Sequence, residues 1–325
     1  MDKILVIKHG GLGEFIQATG AFSAIREKHK SAHIIFLTKE KYSDLAKKSP
    51  YFNEIWIDPM PAIWDIPALL KFSKKLREEK FQRVYDLECS TQSNLYFRII
   101  GRKKPEWSGS IKWCSHPIKN TIGSFVHILD RYDEQLAIAG IESVPMPEIS
   151  WLLSDVSRFA LPEGYVLILP GGRNRKKRWH KEGFAELANW LADFGLLPVF
   201  VGDSGDRSIV TSIIKDCANI NVLDLTGETS LADAAQLARG AVITIGNDTG
   251  LMQLSAAVGC PCLIIYSKHS FLENNIPAGA NIFAIKENDL SKLEPERVLG
   301  LLEELFEIEE NLDTDEKPPK TQHSE

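Results

Sequence analysis

The chain has 325 residues, 44% of them hydrophobic and 25% charged, with a formal net charge of −6. That length fits two domains of about 150 residues each, and the acidic balance gives a nucleic-acid partner no global electrostatic support. Five scattered cysteines, Cys89, Cys114, Cys217, Cys260 and Cys262, make no CxxC pair; they read as core residues in a reducing compartment, not as a zinc site. No apolar stretch approaches the ~18 residues that span a bilayer. The opening MDKILVIKHGG begins a strand and lacks a signal peptide's features, so a cytoplasmic protein is expected.

Taken in order, apolar runs of strand length alternate with segments of helical period. Residues 4–7 read as a strand, and 15–28 follow with Phe15, Ala18, Phe22 and Ile25 at helical spacing. Strands at 34–37, 54–57 and 83–87 alternate with helices at 42–47, 66–79 and 94–100. The stretch 101–121 is basic and loop-like, with Trp107, Trp113 and His116. Helical period returns over 125–139. Proline- and glycine-containing segments place a domain boundary near 145–163, dividing the chain into residues 1–150 and 151–310. A second series then has strands at 165–169, 197–201, 221–224, 241–245 and 262–266. Helices fall between them at 182–194, 206–216, 231–239 and 251–258. Two such series predict an α/β protein with two doubly wound, Rossmann-like domains facing across a cleft. The polar tail, residues 311–325, is expected to be disordered.

In open α/β sheets, ligands bind beyond the C-terminal strand ends, and three turns there have unusual composition. Lys8-His9-Gly10-Gly11-Leu12-Gly13-Glu14 follows the first strand. Glycines let a ligand approach the backbone, and Glu14 is either a helix-dipole charge or a general base. The turn from Pro170 to Trp179 places Arg173, Arg175, Lys176, Lys177 and Arg178 beside Gly171 and Gly172. It suits a diphosphate, or is a solvated basic loop. Gly246-Asn247-Asp248-Thr249-Gly250 either only caps a helix or also aims free N–H groups into the cleft. Asp206 opens another helix, as a ribose-binding acid or a surface acid. No metal-ligand spacing appears, so diphosphate charge would fall to Lys, Arg and helix N-termini. The expectation is no metal and no cofactor.

These stretches carry a resemblance. The segment from Leu225 to Pro261, LTGETSLADAAQLARGAVITIGNDTGLMQLSAAVGCP, resembles the signature of the lipopolysaccharide heptosyltransferases of glycosyltransferase family 9. PGGRNRKKRW and KHGGLGEF are similar to that family's phosphate loop and its opening S-L-G-D motif. The resemblance spans residues 1–290 and implies a GT-B fold. It also implies an inverting, metal-independent transfer from an ADP-heptose-type donor to a lipopolysaccharide core or related glycan. Glu14 falls where the family has its catalytic aspartate. Lys177 matches the donor-phosphate lysine, Asp248, Thr249 and Gly250 the phosphate and sugar turn, and Asp206 the ribose acid. Gly172 and Arg173 stand where some members carry hydroxyl residues, and Gln253 where many carry histidine. Gly11, Gly13, Lys112 and His116 are expected on the acceptor side. The basic middle segment (Arg102, Lys103, Lys104, Lys112, Lys119) is either a solvated loop or a surface meeting a phosphorylated glycolipid, with peripheral contact at the inner face of the membrane. Another GT-B activity, such as an epimerase, or a nucleotide-sugar-binding protein without catalysis is the alternative.

Overall fold

The computed structural model describes residues 1–62, 64–100, 105–118, 126–270, 276–279 and 281–315, the last nine of them by backbone only. Arg102, Lys103, Lys104 and Lys119 lie outside the described residues.

The first domain is a six-stranded parallel sheet in the order β3-β2-β1-β4-β5-β6. Its strands are β1 Lys3–Ile7, β2 His33–Thr38, β3 Glu54–Ile57, β4 Arg83–Asp86, β5 Glu106–Gly109 and β6 His116–Pro117. The second sheet has the order β12-β11-β10-β7-β8-β9. Its strands are β7 Tyr165–Leu169, β8 Leu197–Phe200, β9 Leu223–Asp224, β10 Thr244–Asn247, β11 Cys262–Ser267 and β12 Ile282–Glu287. Every pairing is parallel. Both faces of such sheets are covered, which explains the near-continuous apolar runs. Alternate residues then serve opposite cores. Ile4 and Val6 join one cluster, Leu5 and Ile7 another; Leu167 and Leu169 join the first of these, and Val166 and Ile168 a third.

Eleven helices are described: α1 Leu12–Gln17, α2 Thr19–Lys28, α3 Ser43–Lys48, α4 Ile66–Glu78, α5 Thr91–Ile99, α6 Ile128–Ile138, α7 Lys181–Asp193, α8 Arg207–Asp216, α9 Leu231–Gly240, α10 Gly250–Ala257 and α11 Pro295–Asp315. The cluster containing Phe15, Leu136, Leu152, Leu237 and Met252 runs through both domains and joins them. All five cysteines are free, and four are buried.

The structure departs from the expected elements where local pattern is weakest. β5, β6 and β12 fall in stretches without a clear strand signal. The expected helix 15–28 is broken at Ala18, where the Thr19 hydroxyl donates to Ile16 O at 2.7 Å. α11 continues to Asp315 and so passes the point, 311, where a disordered tail was expected. Val298 and Leu302 are fully buried along it, and the helix extends beyond that anchored part.

Candidate active site

In each sheet the strand order reverses beside the first strand, between β1 and β4 and between β7 and β10. Such switch points open a crevice at the C-terminal strand ends. The loops leaving these four strands carry the chemistry, and the two crevices face each other.

In the first domain, Lys8 immediately follows β1 and is 2% exposed. Its Nζ lies 3.0 Å from Glu14 Oε2 and 3.1 Å from Glu88 Oε2. Burial alone would lower the Lys8 pKa, but neighbouring Tyr132, Glu88 and Glu14 reverse this and leave it above the usual lysine value. Burial likewise opposes ionisation of Glu88. Lys8 and the His9 N–H, which donates to Glu88 Oε2 at 3.0 Å, outweigh it and hold the pKa below the ordinary value. His9 Nε2 stands 2.6 Å from Asp58 Oδ2, and the Tyr96 hydroxyl donates to Asp58 at 2.6 Å. Glu14 itself is nearly half exposed. It folds back over Gly10, where any side chain would collide with its carboxylate.

In the second domain, the basic loop after β7 turns at Gly172, whose φ of +141° favours glycine. Lys177 Nζ donates to Asp248 Oδ2 at 2.8 Å. Arg178 Nε donates to Gly172 O at 2.7 Å, and its Nη2 is 3.8 Å from Asp206 Oδ1. The Asp206 carboxylate accepts the Asp203 N–H at 3.2 Å. Asn247, fully buried at the end of β10, ties the loops together: it accepts the Trp179 N–H at 2.9 Å and donates to Pro170 O and Gly171 O at 2.8 and 3.2 Å. Thr249 caps α10 through its side chain, and Ser230 caps α9 in a reciprocal box with Asp233. Both helix starts open on the same space.

The domains meet where glycine allows it. A Cβ at Gly250 would stand 2.8 Å from Leu12 Cβ, and one at Gly13 3.0 Å from Gln253 Cγ. Beside this contact lies a cavity of about 760 Å³, a size suited to a nucleotide-sized ligand. It is lined by Gly11, Gly13 and Glu14 on one side, and by Gly172, Arg173, Lys177, Asp206, Asp248, Thr249, Gly250 and Gln253 on the other. Eleven of the thirteen residues expected at the site are thus brought together.

Lys112 and His116 do not line this cavity. Lys112 is exposed on the β5–β6 loop. His116 sits on edge strand β6, its Nδ1 3.1 Å from Ile138 O and its Nε2 3.7 Å from Glu106, which also pairs with Arg83. Glu106 begins β5, so these contacts draw the imidazole away from the strand ends that form the cleft. Sequence reasoning missed Lys8, Glu88, His9, Asp58 and Asn247. All five stand at or just beyond a strand end, which was the available signal. Among the described residues no three His, Cys, Asp or Glu side chains are grouped to hold a metal, and no helix is long and apolar enough to cross a membrane.

Two doubly wound domains meeting at a nucleotide-sized cleft have the architecture of a GT-B glycosyltransferase. The model of glycosyltransferase family 9 (heptosyltransferase) matches residues 69–298, and the chain belongs to that family. Lipopolysaccharide heptosyltransferase 2 of Escherichia coli is 26% identical over 303 residues, covering 82% of this chain and 83% of that protein. Lipopolysaccharide heptosyltransferase 1 of Campylobacter coli is 22% identical over 339 residues, covering 94% and 99%. The solved structure of E. coli ADP-heptose lps heptosyltransferase II superposes with a TM-score of 0.76 at 22% identity, covering 95% of this chain and 99% of that one. It has the same fold.

Proposed function

We propose that the protein moves a heptose-type sugar from an ADP-sugar to a lipopolysaccharide-core or related glycan acceptor, with inversion and without a metal ion, at the cytoplasmic side of the membrane. The observation that carries this is one cavity lined by Glu14 from the first domain and by Lys177, Asp248, Thr249 and Gly250 from the second. The relatives' names supply the substrate class: lipopolysaccharide as acceptor, and ADP-heptose for the E. coli enzyme of known structure.

The donor lies along the second domain in this reading. Val201, Leu231 and Ala234 line the cavity's apolar side and suit the base, and Asp206 suits the ribose hydroxyls. The diphosphate meets Lys177, Arg173 and the N–H groups at the start of α10, where an aligned helix end favours anions. The acceptor hydroxyl enters from the first domain and attacks the anomeric carbon from the face opposite the leaving diphosphate. Glu14 takes the hydroxyl proton as the new bond forms. The C–O bond to ADP breaks, and the negative charge on the leaving oxygen is met by Lys177 and the α10 N–H groups. One displacement inverts the anomeric centre and leaves no covalent intermediate. Lys8 anchors the Glu14 carboxylate at 3.0 Å, which restricts where the base points.

The test is an incubation with ADP-heptose and a heptose-free core acceptor after exhaustive chelation, with the product linkage read by NMR. Transfer with inverted configuration and one ADP released per sugar is expected. A rate that collapses with EDTA and returns with Mg²⁺, or a retained configuration, contradicts the mechanism. Donor turnover without acceptor contradicts the activity.

A further inference from the structure

Half of the large hydrophobic side chains exposed among the described residues fall within one short stretch, residues 57–70: Ile57, Met60, Trp64, Ile66 and Leu70. Trp64 is 83% exposed. The stretch joins the C-terminal end of β3 to the start of α4, so it lies at the cleft end of the first domain. A second loop at that end carries Trp113, 85% exposed, beside exposed Lys112. Both loops are tied to the same helix turn. Gln92 Nε2 donates to Pro61 O at 3.3 Å, and the Ser110 hydroxyl donates to Asn94 Oδ1 at 3.2 Å. The loops that carry Trp64 and Trp113 therefore meet at the first turn of α5.

Exposed apolar clusters of this kind mark an interaction surface, and the charges behind this one indicate the partner. The chain as a whole is acidic, yet α4 carries Lys71, Lys74, Lys75 and Arg77 against the single acid Glu78. Phe72, Ser73 and Leu76 turn into the core, while Lys71 and Lys74 face solvent. At ~1.5 Å per residue, Lys71 and Lys74 stand roughly 7 and 12 Å along the helix from Ile66. Apolar and indole groups lead, and cations follow at headgroup distance. That order matches the layers of an anionic bilayer surface, where tryptophan prefers the interface and lysine the headgroups. A protein partner would not call for this graded depth.

We propose that the cleft-end tip of the first domain, formed by Met60, Trp64, Ile66, Leu70 and Trp113, docks onto a bilayer surface carrying anionic phospholipid. Asp58, which pairs with His9 beside the Lys8–Glu88 cluster, immediately precedes this tip. Docking there brings the acceptor side of the cleft to the membrane surface. The proposal does not depend on the transfer reaction, because vesicle binding is read without sugar substrates.

The experiment is flotation of the full chain with vesicles of phosphatidylethanolamine containing one quarter phosphatidylglycerol, beside vesicles of phosphatidylcholine alone. The wild type is expected to float with the anionic vesicles only. W64S/L70S should abolish flotation, and K71Q/K74Q should weaken it by about fivefold for each cation removed. Unchanged ADP affinity and melting temperature in each variant show that the fold and the donor site are intact. Wild type remaining in solution with both vesicle types, or W64S/L70S floating as well as wild type, overturns the proposal. So does a wild-type dimer in sedimentation velocity that W64S/L70S dissolves, which would assign the tip to contacts between copies of this chain.

Discussion

At the residue scale, the first domain holds ionised groups where burial opposes them. Lys8 sits between Glu14 and Glu88 with almost no solvent contact. Removing one partner of a buried pair leaves charge uncompensated and typically costs about 3–5 kcal/mol. Lys8→Met should lower the urea midpoint by a corresponding amount and also lower kcat, because Glu14 loses its anchor. An unchanged midpoint would show that the pair adds nothing. Asp86 presents the opposite case. Its Oδ1 accepts the Cys89 N–H at 2.9 Å, and its Oδ2 accepts no hydrogen bond from the described residues. Burial, partly offset by the Cys89 bond, pushes its pKa up to about 6. The folded state therefore binds the extra proton between the unfolded value, about 3.9, and 6. The stability this confers is present below pH ~4 and is lost as pH rises through 6, roughly 3 kcal/mol in all. Asp86→Asn lacks that titration. Its stability relative to wild type should rise by about 3 kcal/mol between pH 4 and pH 7 in urea titrations. A gap independent of pH would contradict this.

At the element scale, the donor loops depend on Asn247. One buried side chain satisfies the Trp179 N–H and two carbonyls, so it fixes the β7 and β10 loops against each other. Asn247→Ala strands those buried groups at about 1–3 kcal/mol each. It should lower the melting temperature and weaken ADP binding together, by thermal scan and calorimetry. A loss of stability with full ADP affinity would show that the loops hold their shape without the clamp. The elements also show what was legible in the sequence. The central strands β1, β2, β4, β7, β8 and β11 announce themselves because burial on both faces demands unbroken apolar runs. β5 is EWSG and β12 is IFAIKE, an edge strand with exposed positions; their pairing comes from neighbours distant in the chain. In the cleft, the glycine-rich turns after strands mark Glu14, Lys177 and Asp248 in the sequence itself. Lys8 and Glu88 did not stand out, since charged residues in sequence read as solvated and only the tertiary structure buries them. Asn247 looked like part of a capping turn, because its bonds reach residues about 70 positions away. His116 is expected on the acceptor side, whereas its own partners, Ile138 O and Glu106, hold it away from the cleft.

At the scale of the whole molecule, a shared core makes the two domains one cooperative unit. Phe15 and Leu136 belong to the same cluster as Leu237 and Met252, so heating should give a single transition. Two resolved transitions would show that the domains unfold separately. Binding only to the folded state raises stability by about 2.7 kcal/mol at a hundredfold excess of ligand over Kd, so ADP should shift that single transition upward. The central claim is that the domains divide the work: the first supplies the base and the second holds the donor. It is tested by measuring steady-state transfer and calorimetric ADP affinity for Glu14→Gln and Lys177→Ala side by side. Glu14→Gln should lose about 10²–10⁴-fold in kcat and keep its ADP affinity. Lys177→Ala should weaken ADP binding by about 1.5–3 kcal/mol. A Glu14→Gln enzyme that retains more than about a tenth of wild-type kcat, with chemistry rate-limiting, would contradict the account.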